Sequence, residues 1–177
     1  MNNMIEIGFL RILKYNSINQ IKEGDIVKVE LFYRGELTDF IEKEYLISRQ
    51  DYNHLLNYDA YVRYNGHFNN NPSEFIQLLL IAYRVANIEN IKYTTFFIQK
   101  IVIIMSNYNL GFIQNPCKEI QIDAINQNPW NIGNIDNPSL EVCQHALYLN
   151  KDVINTIRNN IDCYDQLLEF YNFLYRV

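Results

Sequence analysis

The sequence is poor in glycine, proline and cysteine. Six glycines (Gly8, Gly24, Gly35, Gly66, Gly111 and Gly133) are spread along 177 residues. None falls in the spacing that cradles a phosphate or forms a nucleophile elbow, so P-loop and Gly-x-Ser-x-Gly chemistry are not expected. The three cysteines, Cys117, Cys143 and Cys163, are odd in number and not closely paired. They therefore give neither a disulfide framework nor a Cys-x-x-Cys metal clip, and fit a reducing compartment. Positive charge is also short, with 15 Lys and Arg against 20 Asp and Glu. A net charge of −5 offers no broad basic surface to a polyanion, so direct nucleic-acid binding is disfavoured. No long apolar run occurs: the longest, Leu78 to Tyr83, is far below the ~20 residues of a membrane span. Met1-Asn2-Asn3-Met4-Ile5-Glu6 lacks the basic and apolar segments of a secretory leader, and a cytoplasmic location is expected.

Asn and Ile are abundant, each present 25 times, together with 14 Tyr. An AT-rich coding sequence explains such a mix. A prion-like tract does not, because the longest Asn run is only Asn69 to Asn71 and 49% of the chain is hydrophobic. The charge is uneven: residues 1–112 are nearly neutral, whereas 113–177 carry 4 basic against 8 acidic groups. Those acids are too sparse to imitate a phosphate backbone.

The first seventy residues read as a β-rich module. Ile5, Ile7 and Phe9 alternate and lead through Leu13 as one strand, and Glu23-Gly24-Asp25 supplies a turn. Ile26 to Tyr33 sets Val27, Val29 and Leu31 against Lys28 and Glu30. Arg34-Gly35-Glu36 turns the chain into a third strand, Thr38 to Ile47, and short connections favour an antiparallel meander. Ser48-Arg49-Gln50-Asp51 has the spacing of a capping box and predicts a helix through Tyr52, Leu55 and Leu56.

From residue 71 the texture is helical, giving a second module over 71–177. Asn71-Pro72-Ser73-Glu74 starts a helix that runs to about Ala86, with Asn as cap and Pro at the first helical position. Residues 91–107 are rich in strand formers, but seventeen residues without Gly or Pro exceed a usual strand. They are expected to form a central buried helix.

The most specific pattern lies further on. An offset of 22 pairs Ile113 with Ile135, Asn115 with Asn137, Pro116 with Pro138 and Glu119 with Glu141. It continues through Ile120 with Val142, Ala124 with Ala146, Ile125 with Leu147, Asn128 with Asn150 and Ile132 with Ile154. Two repeats, 113–134 and 135–156, are implied, each a small helical hairpin that must stack on its neighbour to bury its apolar face. Asn115 and Asn137 are expected to cap the helices, and Asn128 and Asn150 to end them in left-handed geometry. A last helix near Tyr164 to Tyr175 would close the stack with Leu167, Leu168, Phe170, Tyr171 and Leu174.

This Ile-x-Asn-Pro-(Ser/Cys)-x-Glu-(Ile/Val)-x-x-x-Ala-(Ile/Leu)-x-x-Asn pattern resembles short tandem repeats found in uncharacterised proteins of bacteriophages, large DNA viruses and some bacteria. The likeness covers residues ~113–160. It implies an α-helical stack and a mobile-element or viral source, and it carries no catalytic residues.

The expected fold is α+β: an antiparallel meander and helix packed on a helical repeat stack. Chemistry is sparse. Cys143 and His145 are two apart, diverge on a helix, and align with the variable Gln121 and Asp123. His67 follows Tyr58, Tyr61, Arg63 and Tyr64 in a predicted loop, raw material for a contact site. Glu42 and Glu44 share one face of a strand, as paired carboxylates would in a hydrolase and as the wet side of a sheet ordinarily does. The favoured reading is a non-enzymatic protein–protein interaction module, extended by the resemblance to a viral antagonist of a host defence complex in the host cytoplasm, with a host protein or a second copy as partner. The alternative is a small hydrolase or nucleotide-processing enzyme using His67 with Glu42, Glu44 or Asp59. No cofactor or metal is expected.

Overall fold

A computed structural model describes residues 4–31, 42–57, 72–83, 88, 91–157 and 164–175. The chain divides into two compact units, Met1–Thr94 and Thr95–Val177. The fold is α+β, with an antiparallel sheet followed by helices.

The first unit holds a four-stranded antiparallel meander in the order β1 (Met4–Ile7), β2 (Leu10–Leu13), β3 (Ile26–Leu31), β4 (Glu42–Leu46). The stretch expected as one strand, Ile5 to Leu13, is two. Gly8 takes φ +56° and turns the chain at once, so Ile7 pairs with Leu10 across a two-residue loop. Positive φ at the first loop residue only is the signature of a type II′ hairpin, which glycine supplies without strain. The same glycine allows a close approach, because a Cβ there would lie 2.1 Å from the carbonyl oxygen of Ala82.

Period-two burial then sets the two faces. Leu10, Ile12, Val27 and Val29 are buried on one side, while Arg11, Lys28, Glu30, Glu42 and Glu44 point to the other. Helix α1 (Arg49–Leu56) opens with the capping box read from sequence: Ser48 Oγ accepts from Asp51 N, and Asp51 Oδ2 accepts from Ser48 N at 3.0 Å. Helix α2 (Glu74–Tyr83) packs on β1, β2 and α1, with every residue from Phe75 to Ala82 buried. Ser73, not Asn71, is its cap: Ser73 Oγ accepts from Ile76 N at 3.3 Å. Pro72 therefore stands before the cap and outside the first turn.

The second unit is built from α3 (Phe96–Met105), α4 (Lys118–Gln127), α5 (Leu140–Leu149), α6 (Ile154–Ile157) and α7 (Tyr164–Tyr175). Tight 3-10 turns at Asn107–Phe112, Pro129–Asn134 and Lys151–Val153 follow α3, α4 and α5. The helices α2, α3, α4 and α5 are each ten residues long and start 22 residues apart. The repeat legible as two copies thus has four coils, the first lying in the first unit. Every coil buries the same columns: Ile76, Ile98, Ile120 and Val142; Leu80, Val102, Ala124 and Ala146; Ile81, Ile103, Ile125 and Leu147; and Ile91, Ile113, Ile135 and Ile157. Within the second unit α3 packs on α4, α4 on α5, and the 3-10 turns on one another.

The polar positions repeat as well, with roles different from those expected. Asn115 and Asn137 are the left-handed residues, at φ 52° and 50°. The caps are two residues on: Thr95 Oγ1 accepts from Ile98 N at 3.3 Å, Ser139 Oγ from Val142 N at 3.4 Å, and Cys117 holds the equivalent place without a cap bond. Asn128 and Asn150 are extended, not left-handed. Each donates its backbone N–H to Ala124 or Ala146, closing one helix. Its side chain accepts from Trp130 N or Asp152 N and opens the following 3-10 turn. Buried and half-buried amides complete the frame. Asn109 and Asn131 donate to the Val102 and Ala124 carbonyls, and Gln77 and Gln121 to the Pro72 and Pro116 carbonyls.

Two expectations about burial are revised. Helix α3 is apolar on nearly all sides, yet Phe96 and Ile104 are about half exposed. Helix α7 packs on α5, and its Tyr175 hydroxyl donates to the Leu147 carbonyl, but only Leu167 of its five expected anchors is buried. Leu168 and Glu169, one period after the buried Ala146 and Leu147, are exposed, so α7 leaves the repeat frame and covers the last coil.

The missing cap bond at Cys117 gives a direct check. Replacing Cys117→Ser restores the hydroxyl present at Ser139, and should stabilise the protein by about 0.5–1.5 kcal/mol. Urea unfolding of the two proteins measures this; a destabilised serine variant would show that the thiol fills a packing role there.

Candidate functional site

On the first unit, the outer face of the sheet gathers the charges. Glu6, Arg11, Glu30 and Glu42 form one row across all four strands through the pairs Glu6–Arg11, Arg11–Glu30 and Glu30–Glu42. Arg11 Nε lies 2.8 Å from Glu6, and Lys28 Nζ lies 2.6 Å from Glu42. Glu42 and Glu44 do share this face, both exposed, with Lys28 opposite Glu44. This exposed, ion-paired row is the arrangement of a solvated sheet surface. His67 and Asp59, their suggested partners, lie outside the described residues, as do Tyr58, Tyr61, Arg63 and Tyr64.

The inner face carries a polar tie. Glu74, at the start of α2, accepts from the Tyr45 hydroxyl at 2.9 Å and pairs with Lys43, while the Tyr45 ring packs 5.5 Å from Phe75. Burial, and then the carboxylate, push the Tyr45 hydroxyl well above its usual range, so it serves as a neutral donor. One carboxylate thus fastens β4 to the N-terminus of α2, where negative charge is favoured by the helix dipole.

A further pair sits on α1. Asp51 is 96% buried through Oδ2 bonds to Ser48 N and Ser48 Oγ, and its other oxygen, Oδ1, has no hydrogen-bond partner among the described residues. One turn on, burial lowers the proton affinity of His54, and the nearby Asp51 charge partly offsets this. Nothing in the sequence marks the pair, because a burial-shifted histidine is defined by its surroundings. Among the described residues no group of three or more His, Cys, Asp or Glu is placed to hold a metal ion.

In the second unit, Cys143 and His145 do diverge. The Cys143 thiol is buried and faces the Pro138 carbonyl, at the column where other coils place glutamine. His145 Nε2 meets Asn126 Oδ1 at 2.7 Å across neighbouring coils. Lys100–Asp123 and Lys118–Glu141, each spanning 23 residues, tie neighbouring coils in the same way. Glu119 is held below the usual carboxylate range by its own backbone N–H and then by Cys117, as befits the first turn of α4.

The repeat also sorts residues by purpose. The four columns named above stay apolar from coil to coil, and the cap column holds Ser, Thr or, once, Cys. Exposed columns change: Ile104, Asn126 and Tyr148 occupy one, and Trp130 and Asp152 another. The fold accepts a polar residue at each of these places, so the large apolar ones are not there for packing. These are the surface residues that reading the sequence alone overlooked. The signal that finds them is a comparison of each exposed column across all coils.

No helix among the described residues is long and apolar enough to cross a membrane. Comparisons with models of known protein families, with curated proteins and with solved structures found no match.

The sign of the His54 effect fixes a pH dependence. A histidine whose affinity for protons is lower when folded than when unfolded contributes stability at neutral pH, which is lost as pH falls through about 6.5 and below. Thermal unfolding followed from pH 7.5 to 5 should therefore show a loss that is reduced in His54→Gln. An identical pH profile in the variant would remove His54 from the explanation.

Proposed function

We propose that the protein is a non-enzymatic protein–protein interaction module whose helical coils form a scaffold for a variable surface. One observation supports this most: four buried columns of the repeat stay apolar in every coil, while its exposed columns change from polar to large and apolar. Stacked repeats elsewhere use that division to build extended binding surfaces. Exposed Trp and Tyr are the residue types that dominate binding energy at protein interfaces. The segment carrying Tyr58, Tyr61, Arg63, Tyr64 and His67, expected from sequence to be a loop, adds a second aromatic and basic contact region to this reading. The resemblance of residues ~113–160 to phage and viral repeats extends it to an antagonist of a host defence complex, acting in the host cytoplasm.

Affinity capture from the native host lysate tests the reading, with quantitative mass spectrometry of what is retained. A stoichiometric protein partner, lost in a Tyr64→Ala, His67→Ala variant or in a variant of the exposed coil residues, is the expected result. A monomer that retains nothing and instead turns over a nucleotide or ester, with activity abolished by His67→Ala, would replace this reading with the hydrolase alternative.

A further inference from the structure

Each coil of the second unit buries its apolar columns against its neighbours, and the last coil is followed by α7 rather than by another coil. Ile98 and Val102 of α3, and Ile120 and Ala124 of α4, have the next coil beside them. In α5 the same columns hold Val142 and Ala146, with Cys143 and Leu147 next to them, and all four are fully buried. Helix α7 packs on α5 and supplies a polar contact as well. Asn109 and Asn131 satisfy a carbonyl near the end of α3 and of α4, but the third member of that column is Val153. At the end of α5 a side-chain donor comes instead from α7, where the Tyr175 hydroxyl bonds the Leu147 carbonyl.

Helix α7 has the character of an end piece. Leu167, Phe170, Tyr171 and Leu174 share one face and are buried or half-buried, while Asp165, Gln166, Glu169 and Asn172 are exposed on the other. A polar outer face is what closes a stack of repeats. The hold is slight. Helix α4 buries Ile120, Ala124 and Ile125, and α5 buries four residues. Helix α7 buries Leu167 alone, and its Phe173 is 80% exposed. A twelve-residue helix without tertiary support is marginal in water, and elements with few buried apolar contacts open before the rest.

We infer that α7 is a detachable end cap, and that the α5 face it uncovers joins the same face of a second copy. Helix α7 leaves as one piece while the coils stay folded. The occupant follows from the columns: Val142 and Ala146 continue those through which neighbouring coils pack, so what suits this face is another coil of the same kind. The first coil, α2, already has the sheet as its cover, so a second copy brings its own uncovered α5. One patch used twice about a two-fold axis gives a closed dimer and not a fibre. Docked, α7 keeps the chain monomeric; detached, it permits a dimer that grows with protein concentration.

Hydrogen exchange read by mass spectrometry on the full-length wild type, in rising sub-denaturing urea, tests the detachment. Peptides from α7 should exchange at least about tenfold faster than those from α4 and α5, and lose protection at urea concentrations that leave the coils protected. Sedimentation over a wide range of protein concentration tests the pairing. It compares the wild type, a Leu167→Asn, Tyr175→Phe variant, and Phe173→Ser on the outer side of α7. Expected are monomers for the wild type and Phe173→Ser. The double variant should form a concentration-dependent dimer with α7 unprotected and α5 better protected than in dilute solution. Equal protection of α7 and α5 in the wild type overturns the detachable cap. A double variant that stays monomeric with α7 unprotected overturns the pairing, and one whose coils lose protection together with α7 shows the helix to be part of the core. A dimer that keeps α7 protected also contradicts the inference, because the α5 face would then still be covered.

Discussion

Everything in the second unit depends on columns of apolar side chains that recur every 22 residues and that no coil can bury by itself. A ten-residue helix is too short to be stable alone in water. Ile98, Ile120 and Val142 become core only because the next coil lies against them, and the same holds for Val102, Ala124 and Ala146. Size decides the geometry: the alanines at 124 and 146 let neighbouring helices approach, while the branched residues around them fill the space between. Side-chain amides then close the ends. Asn131 satisfies the Ala124 carbonyl, and Gln121 the Pro116 carbonyl, so the short helices leave few buried backbone groups without partners.

The first unit meets the same need differently. There the first coil, α2, is buried on all sides from Phe75 to Ala82 because the sheet takes the place a neighbouring coil has elsewhere. Gly8 makes that possible by bringing the hairpin turn against Ala82, and the Glu74 carboxylate holds Tyr45 and Lys43 at the other end of the helix. The cost is that the eight residues Phe75 to Ala82 present no free surface. The coils of the second unit keep an exposed side, and there the sequence is free to vary.

What was legible in the sequence follows from what each feature demands. The Ser48–Asp51 box was readable because two specific side chains must serve two specific backbone groups. The last two coils were readable because Asn-Pro is chemically particular: the asparagine takes a left-handed turn that most residues avoid, directly before a proline. The first coil opens on Asn71-Pro72, two periods before Asn115-Pro116, but this was only a hint of earlier coils, because Tyr93-Thr94 stands at the position between and the apolar columns accept any branched residue. Cap positions were misread by two residues for a related reason. Asn, Ser and Thr can all cap, and only the backbone shows which one does. Gly8 broke a strand that alternation alone made continuous. The exposure of Trp130, Tyr148 and Leu149 could not be seen at all until the frame showed which columns face solvent.

Whether the 22-residue coil is a true structural module can be measured by lengthening the chain. Duplicating residues 117–138 in place adds one coil with its own caps and columns. If stacking between neighbours supplies the stability, the longer protein should gain one coil of helical dichroism and unfold in urea at a midpoint no lower than the parent. A longer protein that loses cooperative unfolding, or shows no added helix, would mean that the coils depend on their particular places in the chain and would contradict the modular frame.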